Sequence, residues 1–315
     1  MPALTVTVEV PATSANLGPG FDSLGIALDW ALRLHFTVRD HAVLAPVEPI
    51  ARLAAQAALT LYARAALPTP AGLEVTVETT DLPVGRGLGL SAAARVGGLL
   101  AANALIEGGH DREALLPLAL QLERHGDNAA PAMFGGIQII VEDDQHGVVH
   151  LGLTPPEELR LVLLVPELSM PTEETRKRLP ERLTLNQAVH NIGRAALLIG
   201  ALSERRYDLL DTGTEDVLHQ PTRATIFEPM YPIFQAARDA GAHGVYLSGG
   251  GPTVAAFATA GFDDIAGAMR EAAAVRGVEA TAHVIGLRAA GAELLARDAA
   301  AAVETSHTPC PPAAT

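Results

Sequence analysis

Residues 73–103 combine an alternating segment, a glycine-rich loop and an alanine-rich segment, and this order constrains the fold more than any other feature. Residues 73–78 alternate apolar and polar side chains, which is the period of a half-buried strand. The loop at 82–89 contains three glycines, and residues 91–103 are rich in alanine, the residue with the strongest helix propensity. A helix that starts after a glycine loop presents free N–H groups and a positive dipole end, so the order predicts an anion-binding loop.

Two well-known nucleotide-binding loops fit these glycines poorly. The dinucleotide fingerprint G-x-G-x-x-G needs its third glycine one position after Gly89, and Glu107 is only a loose match to the acidic residue that should follow. The loop G-x-x-x-x-G-K-S/T needs a Gly-Lys pair, which occurs nowhere in the chain. A tight turn without a ligand is the structural alternative. Glycine nonetheless lets backbone N–H groups close around phosphate oxygens, because it has no Cβ atom.

The composition excludes several classes of partner and site. The 315-residue chain has 22 Lys and Arg residues against 36 Asp and Glu residues, a formal net charge of −14. Nucleic-acid and anionic-membrane surfaces need a basic footprint, so we expect neither partner. A small anionic ligand is compatible with this charge, because a few local arginines outweigh a distant net field. The one cysteine, Cys310, excludes an intrachain disulfide framework and a Cys-based zinc site. No signal peptide or long apolar run is evident, so we expect no transmembrane helix and a cytoplasmic location.

Further segments have clear periodicities. Residues 5–10 alternate like a strand, 160–166 form the continuous apolar run of a buried strand, and 185–203 carry apolar residues at helical spacing. Residues 244–257 predict a strand, a tight glycine turn and a second strand. Residues 286–303 predict a terminal helix.

The composition changes near Pro155, which predicts a domain boundary there. The expected domains are residues 1–154 and 155–304. A disordered tail is expected at 305–315, because proline and small residues dominate it.

Four segments, taken in chain order, resemble one enzyme family. They are residues 11–22, 87–94, 123–136 and 248–253, which read PATSANLGPGFD, GLGLSAAA, ERHGDNAAPAMFGG and SGGGPT. In this order and spacing the chain resembles the GHMP small-molecule kinases. The first and third segments resemble the homoserine kinases within that superfamily.

The resemblance implies an α+β protein with the two-domain GHMP kinase fold, in which a ribosomal protein S5 domain 2-like N-terminal domain precedes a ferredoxin-like C-terminal domain. It also implies ATP-dependent phosphorylation of the side-chain hydroxyl of L-homoserine, a step in threonine biosynthesis. Mg²⁺ is the implied cofactor and a homodimer the implied assembly. Two alternatives stay open: a GHMP kinase that acts on another small alcohol, and a GHMP-fold protein that binds ligands without catalysis.

For ATP, the resemblance implies a binding loop that runs into the following helix. Its members are Pro83, Val84, Gly85, Arg86, Gly87, Leu88, Gly89, Leu90, Ser91, Ala92 and Ala93. Leu90 replaces a serine of the family, which removes one hydroxyl and leaves the backbone. The pair Pro49-Ile50 replaces the family's Asn-Leu near the adenine. Ser91 and Glu123 match the Mg²⁺ ligands, and their hard oxygens suit that ion.

For the amino-acid substrate, the resemblance implies contacts from both domains. The implied substrate residues are Asn16, Asp22, His125, Thr172, Arg176 and Arg223, and the implied catalytic residues are Asn16, Ser91, Glu123 and Asn128. Two guanidinium groups suit an α-carboxylate, because each can bind it through two hydrogen bonds. Asp22 suits the α-ammonium group, although it could also cap a turn.

Three of these residues have further structural explanations. His125 could be an ordinary structural histidine. Arg176 lies among charged neighbours and could be a solvated helix residue. Arg223 could pair with Asp216 or Glu228.

The implied mechanism has no dedicated carboxylate base. Asn128 stands in the region where several GHMP kinases have an aspartate, and an amide cannot accept a proton near neutral pH; it could also simply hold its loop. Asp127 is adjacent, and because neighbouring side chains tend to diverge we expect it to face away from the substrate. Phosphoryl transfer tolerates this, since its transition state is loose and the work falls to placement and charge neutralisation.

Overall fold

The computed structural model describes residues 4–78, 82–145, 147–170 and 172–299, with the side chains of residues 172–174 and 299 outside that description. The strands are β1 (Leu4–Ala15), β2 (Leu24–Arg39), β3 (Gly72–Glu78), β4 (Ile137–Asp143), β5 (Gly147–Leu153), β6 (Arg160–Pro166), β7 (Gly244–Leu247), β8 (Val254–Ala258), β9 (Ala280–Gly286) and β10 (Glu293–Ala299). The helices are α1 (Pro49–Arg64), α2 (Leu90–Leu105), α3 (Arg112–Glu123), α4 (Gly126–Phe134), α5 (Thr172–Lys177), α6 (Leu185–Ser203), α7 (Leu210–Gly213), α8 (Gln220–Ala224), α9 (Met230–Asp239) and α10 (Phe262–Ala274).

The first sheet has the strand order β10-β1-β2-β4-β5, and β3 also pairs with β2. Every pair in it is antiparallel. Helices α1 to α4 pack together, with α2 and α4 lying on β1 and β2. The hydrophobic core between the sheet and these helices includes Val8, Leu34 and Leu99, which are inaccessible to solvent. This packing fixes the start of α2 against the end of β1.

The second sheet is antiparallel and has the order β9-β6-β8-β7. Numbered within this sheet, the strands lie in the order fourth, first, third, second, and helices follow the first and third strands. This is the ferredoxin-like arrangement that the resemblance implies. The apolar run predicted at 160–166 becomes the central strand β6, which is buried beyond Arg160. Helices α9 and α10 pack on the sheet through residues such as Phe234 and Met269.

Most segment predictions are confirmed. Residues 5–10 lie within β1, and residues 73–78 lie within β3. Residues 91–103 lie within α2, and residues 185–203 are α6, which begins with a capping box between Thr184 and Gln187. Residues 244–257 form β7, a glycine turn and β8.

The predicted terminal helix at 286–303 is wrong over residues 286–299, and residues 300–303 lie outside the described residues. Strand β9 ends at Gly286, and β10 pairs with β1 in a register that runs from Glu9 opposite Glu293 to Leu4 opposite Ala299. The alanines and leucines of this segment favour a helix, but β1 has an edge whose backbone groups need partners. Pairing with that edge overrides the weaker local preference.

The same strand bears on the division into domains. The expected boundary at residue 155 separates β5 from β6, which lie in different sheets. Strand β10, however, belongs to the first sheet, so we propose that the first domain comprises the residues before 155 together with β10. The tail expected at 305–315 lies outside the described residues. No helix in the described part of the chain is long and apolar enough to cross a membrane.

Candidate active site

A cavity of about 650 Å³ opens where the loop after β1, the start of α2, the α3–α4 junction, α5 and the β7–β8 loop meet. Most residues that the resemblance implies line it. They are Asn16, Asp22, Pro83, Val84, Gly85, Gly87, Leu88, Gly89, Leu90, Ser91, Glu123, His125, Asn128, Arg176 and Arg223. The implied nucleotide and substrate residues therefore share one cavity.

Three implied residues, Arg86, Ala92 and Ala93, lie outside this lining. The guanidinium of Arg86 points to the second sheet, where its Nε donates a 2.9 Å hydrogen bond to the carbonyl of Pro166. Ala92 and Ala93 are fully buried inside α2. Thr172 begins α5, and its side chain lies outside the described part of the structure.

The lining also contains residues that were not expected to face a ligand, or had no role assigned. They are Leu53, Arg95, Leu122, Arg124, Asp127, Gly249 and Gly250. For one of them the sequence does indicate a place in the cavity. Arg95 follows Ser91 by four residues, about one helical turn, so both lie on the same face of the helix. The pair Pro49-Ile50, which the resemblance places near the adenine, lines the cavity as well.

The glycine loop before α2 lies against both β1 and the β7–β8 loop. Gly87 and Gly89 have φ angles of +79° and +64°, a region that favours glycine. A Cβ atom at Gly87 would lie 2.3 Å from the carbonyl oxygen of Ser248, and one at Gly89 would lie 1.8 Å from Thr13 Oγ1. Within the described residues no side chain caps the start of α2, so its first N–H groups stay available to an anion. These features fit a phosphate-binding loop.

Ser91 and Glu123 meet at the start of α2. Ser91 Oγ donates a hydrogen bond of 2.7 Å to Glu123 Oε1, and Arg95 forms an ion pair with Glu123 Oε2. His125 Nδ1 lies 3.5 Å from Glu123 Oε1. Only 5% of the Glu123 side chain is exposed, so these three neighbours compensate a carboxylate that has lost most of its water.

The Ser91 and Glu123 oxygens fit Mg²⁺. Hydroxyl and carboxylate oxygens are hard ligands, and Mg²⁺ in nucleotide sites commonly takes one or two protein oxygens and completes its shell with phosphate oxygens and water. Among the described residues, no group of three or more His, Cys, Asp and Glu side chains is placed to hold a metal by itself. Ser91 and Glu123 would therefore hold the ion together with a bound nucleotide.

Asp22 and Arg176 form an ion pair across the cavity. Asp22 lies between β1 and β2, whereas Arg176 lies in α5; Arg176 Nη1 donates a 3.2 Å hydrogen bond to Asp22 Oδ1, and Nη2 donates to Oδ2. Asn16 supports the pair, because its Oδ1 accepts a 3.0 Å hydrogen bond from the Asp22 N–H and its Nδ2 donates to the Gly249 carbonyl at 2.9 Å. Arg176 is thus a paired residue of the cavity, not a solvated helix charge.

Arg223 is a buried guanidinium at the same end of the cavity. Its Nη1 donates to His219 Nδ1 at 2.8 Å and to the Gly249 carbonyl at 2.7 Å, and not to either acid considered from the sequence. His219 Nε2 donates to the Gly18 carbonyl at 2.7 Å, which leaves Nδ1 as the acceptor. Burial lowers the pKa of His219 to about 4 and the pKa of Arg223 to about 10. The Nε atom of Arg223 is buried and has no hydrogen-bond partner among the described residues.

The expectation that Asp127 faces away from the substrate is wrong. Asp127 and Asn128 lie in the first turn of α4, and both line the cavity. Asn128 Nδ2 donates a 3.2 Å hydrogen bond to Asp127 Oδ1, while Asn128 Oδ1 accepts one of 2.9 Å from Thr13 Oγ1. Adjacent residues on a helix point about 100° apart, and both reach the cavity because it wraps around the helix start.

Two neighbouring titratable groups in this corner have shifted pKa values. Burial raises the pKa of Asp127 to about 7, and the nearby Asp22 carboxylate acts in the same direction. The hydrogen bond with Glu123 raises the pKa of His125, against the opposing effect of burial. The cavity therefore contains a carboxyl group that changes its charge near neutral pH.

The Asp127 shift predicts how stability depends on pH. Because its pKa rises on folding, the protonated form stabilises the native state below about pH 4, and this contribution is lost as the pH rises to about 7. One pKa unit corresponds to about 1.4 kcal/mol, so the loss amounts to about 4 kcal/mol at most. Asp127→Asn should remove this pH dependence, so its free energy of unfolding should rise relative to wild type between pH 5 and 8. Urea titrations of both proteins measure the difference.

Asp144→Asn is the control for that measurement, since Asp144 is exposed in a turn. Its difference from wild type should stay constant with pH. A constant difference for Asp127→Asn as well would show that Asp127 ionises as it does in the unfolded chain.

Models of known families match both halves of the chain: "GHMP kinases N terminal domain" at residues 52–136 and "GHMP kinases C terminal" at residues 191–275. A homoserine kinase from Carboxydothermus hydrogenoformans is 40% identical over 265 residues, which is 81% of this chain and 86% of that protein. A homoserine kinase from Deinococcus radiodurans is 40% identical over 263 residues, or 81% of this chain and 85% of that protein.

Solved structures agree with the family models. The crystal structure of a homoserine kinase from Cytophaga hutchinsonii has a TM-score of 0.82 to this chain at 26% identity, covering 92% of this chain and 97% of that one. A mevalonate kinase from L. major has a TM-score of 0.63 at 14% identity, covering 90% and 96%, and so shares the fold alone. The two-domain GHMP kinase fold is confirmed, and the chain belongs to the homoserine kinase family within the GHMP kinases.

Proposed function

We propose that this chain transfers the γ-phosphoryl group of ATP to the side-chain hydroxyl of L-homoserine, giving O-phospho-L-homoserine and ADP in threonine biosynthesis. The observation that carries the proposal is the Asp22–Arg176 ion pair, which shares one cavity with the glycine loop. The relatives named homoserine kinase support the same reaction.

An α-amino acid complements this ion pair. The ammonium group of L-homoserine suits Asp22 and its carboxylate suits Arg176, so the zwitterion can replace the bonds that the two side chains make with each other. Arg223 adds a second guanidinium, whose buried Nε has no hydrogen-bond partner within the described part of the chain. The Phe21 ring lies 5.1 Å from Arg176 Cζ and 5.6 Å from Arg223 Cζ, which holds both guanidinium groups at one end of the cavity. A sugar or an isoprenoid alcohol has no ammonium group for Asp22, which disfavours another GHMP substrate.

The other end of the cavity suits the nucleotide. The N–H groups of the glycine loop and of the α2 start would bind the phosphates, and Ser91 and Glu123 would hold Mg²⁺, which neutralises phosphate charge when bound. Pro49, Ile50 and Leu53 form an apolar part of the lining, which suits an adenine ring despite the departure from the family sequence. Because the Ser91–Glu123 contact is intact, the replacement of a serine by Leu90 does not favour a non-catalytic binding protein.

Between the two ends, the remaining side chains would position the substrate hydroxyl. Asn16 and Asn128 are held by hydrogen bonds to neighbouring loops, so their amides are fixed at the cavity wall. Fixed placement of the hydroxyl opposite the γ-phosphoryl group supplies much of the rate enhancement in a reaction with a loose transition state.

The implied homodimer stays a proposal. The apolar side chains of Leu185, Val189 and Ile192 recur at helical spacing on α6 and are 79%, 61% and 70% exposed. An apolar stripe of this kind supports an association between protein surfaces.

An ADP-release assay with homoserine, mevalonate and galactose tests the function, and homoserine should be the preferred substrate.

Asp22→Asn keeps the size of the side chain and removes its charge. It should lower kcat/KM for homoserine by about 10- to 100-fold, because a charge-assisted bond to the ammonium is lost. The value for 4-hydroxybutanoate, which lacks the ammonium group, should change little.

Asp208→Asn serves as the control, because Asp208 also pairs with an arginine but lies on the surface away from the cavity. It should leave the preference for homoserine unchanged. If Asp22→Asn retains the full preference for homoserine over 4-hydroxybutanoate, Asp22 only caps its turn.

A further inference from the structure

Arg95 is a cavity residue to which the family resemblance gives no role. It lies on α2, four residues after Ser91, and its side chain lines the cavity beside Ser91 and Glu123. About one fifth of that side chain, 22%, is exposed, so it can reach a molecule bound in the cavity.

The partner of Arg95 is the carboxylate assigned to the metal. Glu123 Oε1 accepts the hydrogen bond from Ser91 Oγ, and Glu123 Oε2 is paired with Arg95. Both carboxylate oxygens are therefore engaged by side chains. Mg²⁺ bound to this carboxylate would lie next to the Arg95 guanidinium, and the repulsion between the two cations favours the transfer of Arg95 to another anion.

Three other arginines at or near the cavity are committed to other contacts, and a fourth, Arg124, caps the end of α3 and is not part of α2. Arg86, in the glycine loop itself, donates to carbonyls at the end of β6. Arg176 is paired with Asp22, and Arg223 is bound to His219 and Gly249, at the substrate end. Arg95, in contrast, lines the cavity from α2, and the first N–H groups of that helix would bind the phosphates.

We propose that Arg95 binds the triphosphate of ATP, exchanging its contact with Glu123 for a β- or γ-phosphoryl oxygen when the nucleotide enters. The exchange releases one Glu123 oxygen for the metal, so the same movement supplies a cation to the phosphates and a ligand to Mg²⁺. No covalent bond forms or breaks in this step. The inference rests on the proposed use of ATP, but not on the identity of the phosphate acceptor.

Calorimetric titration of ATP and AMP into the protein in EDTA, without any acceptor, tests the proposal. Arg95→Met keeps the length of the side chain and removes its charge. It should weaken metal-free ATP binding by about 10- to 100-fold while changing AMP binding little, because AMP lacks the β- and γ-phosphoryl groups. Arg95→Lys should restore part of the loss. Arg270→Met, an exposed arginine on α10, should bind both nucleotides like wild type.

Glu123→Gln gives a prediction of opposite sign. It removes a negative charge and frees Arg95, so it should strengthen metal-free ATP binding. Adding Arg95→Met to Glu123→Gln should abolish that gain, and this double variant also avoids leaving a buried charge unpaired. A merely structural Arg95 would instead change ATP and AMP binding by the same factor in both backgrounds, and that result would overturn the proposal.

The titration also separates this proposal from the proposed function. Wild-type protein that binds ATP with Mg²⁺ but not in EDTA would overturn the role of Arg95 alone. Wild-type protein that binds ATP under neither condition would overturn the proposed use of ATP, and the role of Arg95 with it.

Discussion

Gly89→Ala should lower kcat/KM for ATP by more than about 100-fold, whereas Gly109→Ala should leave it close to the wild-type value. Both glycines have a φ angle of +64°, so an alanine at either position carries the same backbone strain of about 1–2 kcal/mol. They differ in their surroundings. A Cβ atom at Gly89 would lie 1.8 Å from Thr13 Oγ1 and 2.7 Å from Asn128 Oδ1, and a Cβ atom at Gly109 would meet nothing within 4 Å.

The large effect follows from what these contacts position. Thr13 N–H donates a 3.1 Å hydrogen bond to the Leu88 carbonyl, so β1 and the glycine loop are bound to each other directly beside Gly89. A methyl group there has to separate the loop from β1 or displace Asn128. Displacements of about 1 Å at a phosphoryl-transfer site can cost about 100-fold in rate.

The assay is ADP release at varied ATP, with the free energy of unfolding measured in urea for each variant. Backbone strain should lower the free energy of unfolding by a similar, small amount in both variants. Gly89→Ala should lose more in total, because its methyl group also collides with Thr13 and Asn128. Thr13→Ala in the Gly89→Ala background removes the hydroxyl at 1.8 Å and should recover part of the activity. Wild-type ATP kinetics in Gly89→Ala would show that this loop does not hold the phosphates.

The sequence predicted local patterns well and distant geometry only through family resemblance. Periodicity alone located β3, β6 and α6, because the apolar residues of each follow the spacing of one regular element. It could not show that Ser91 and Glu123 meet at 2.7 Å, since they lie 32 positions apart and the packing of α2 against α3 decides their approach. The ion pair of Asp22 with Arg176 joins residues 154 positions apart and depends on how the two halves of the chain pack.

The two clear errors have the same physical origin. Strand β10 has a helix-like composition, and Asp127 was expected to diverge from Asn128, so both expectations used local preferences. In the structure, an open edge of β1 decides the first and a cavity that wraps around the start of α4 decides the second. Residues distant in the sequence form both the edge and the cavity, so neither can be predicted from the residues next to Asp127 or within β10.

Asp127 lines the cavity close to Asp22, so its substitution should affect substrate binding. Asp127 is 2% exposed, and the charge of Asp22 helps to raise its pKa, so the two carboxylates lie close enough to repel each other. A cation between them relieves that repulsion, and the ammonium group of L-homoserine is the cation that the proposed substrate supplies. We therefore expect Asp127 to bind the substrate and not to take its proton.

Asp127→Asn should accordingly raise KM for homoserine by about 10- to 100-fold and leave kcat within about threefold of wild type.

A second readout follows from the pKa of about 7 that Asp127 has without substrate. A bound ammonium group favours the ionised carboxylate and lowers this pKa, so wild-type protein should release a proton when homoserine binds near pH 7. Calorimetry in buffers of different ionisation enthalpy measures that proton, and Asp127→Asn should not release it. General-base catalysis typically contributes about 100- to 10,000-fold. A loss of kcat of that size in folded Asp127→Asn, together with loss of the acidic limb of the pH profile of kcat, would identify Asp127 as a base and contradict a mechanism that depends on positioning alone.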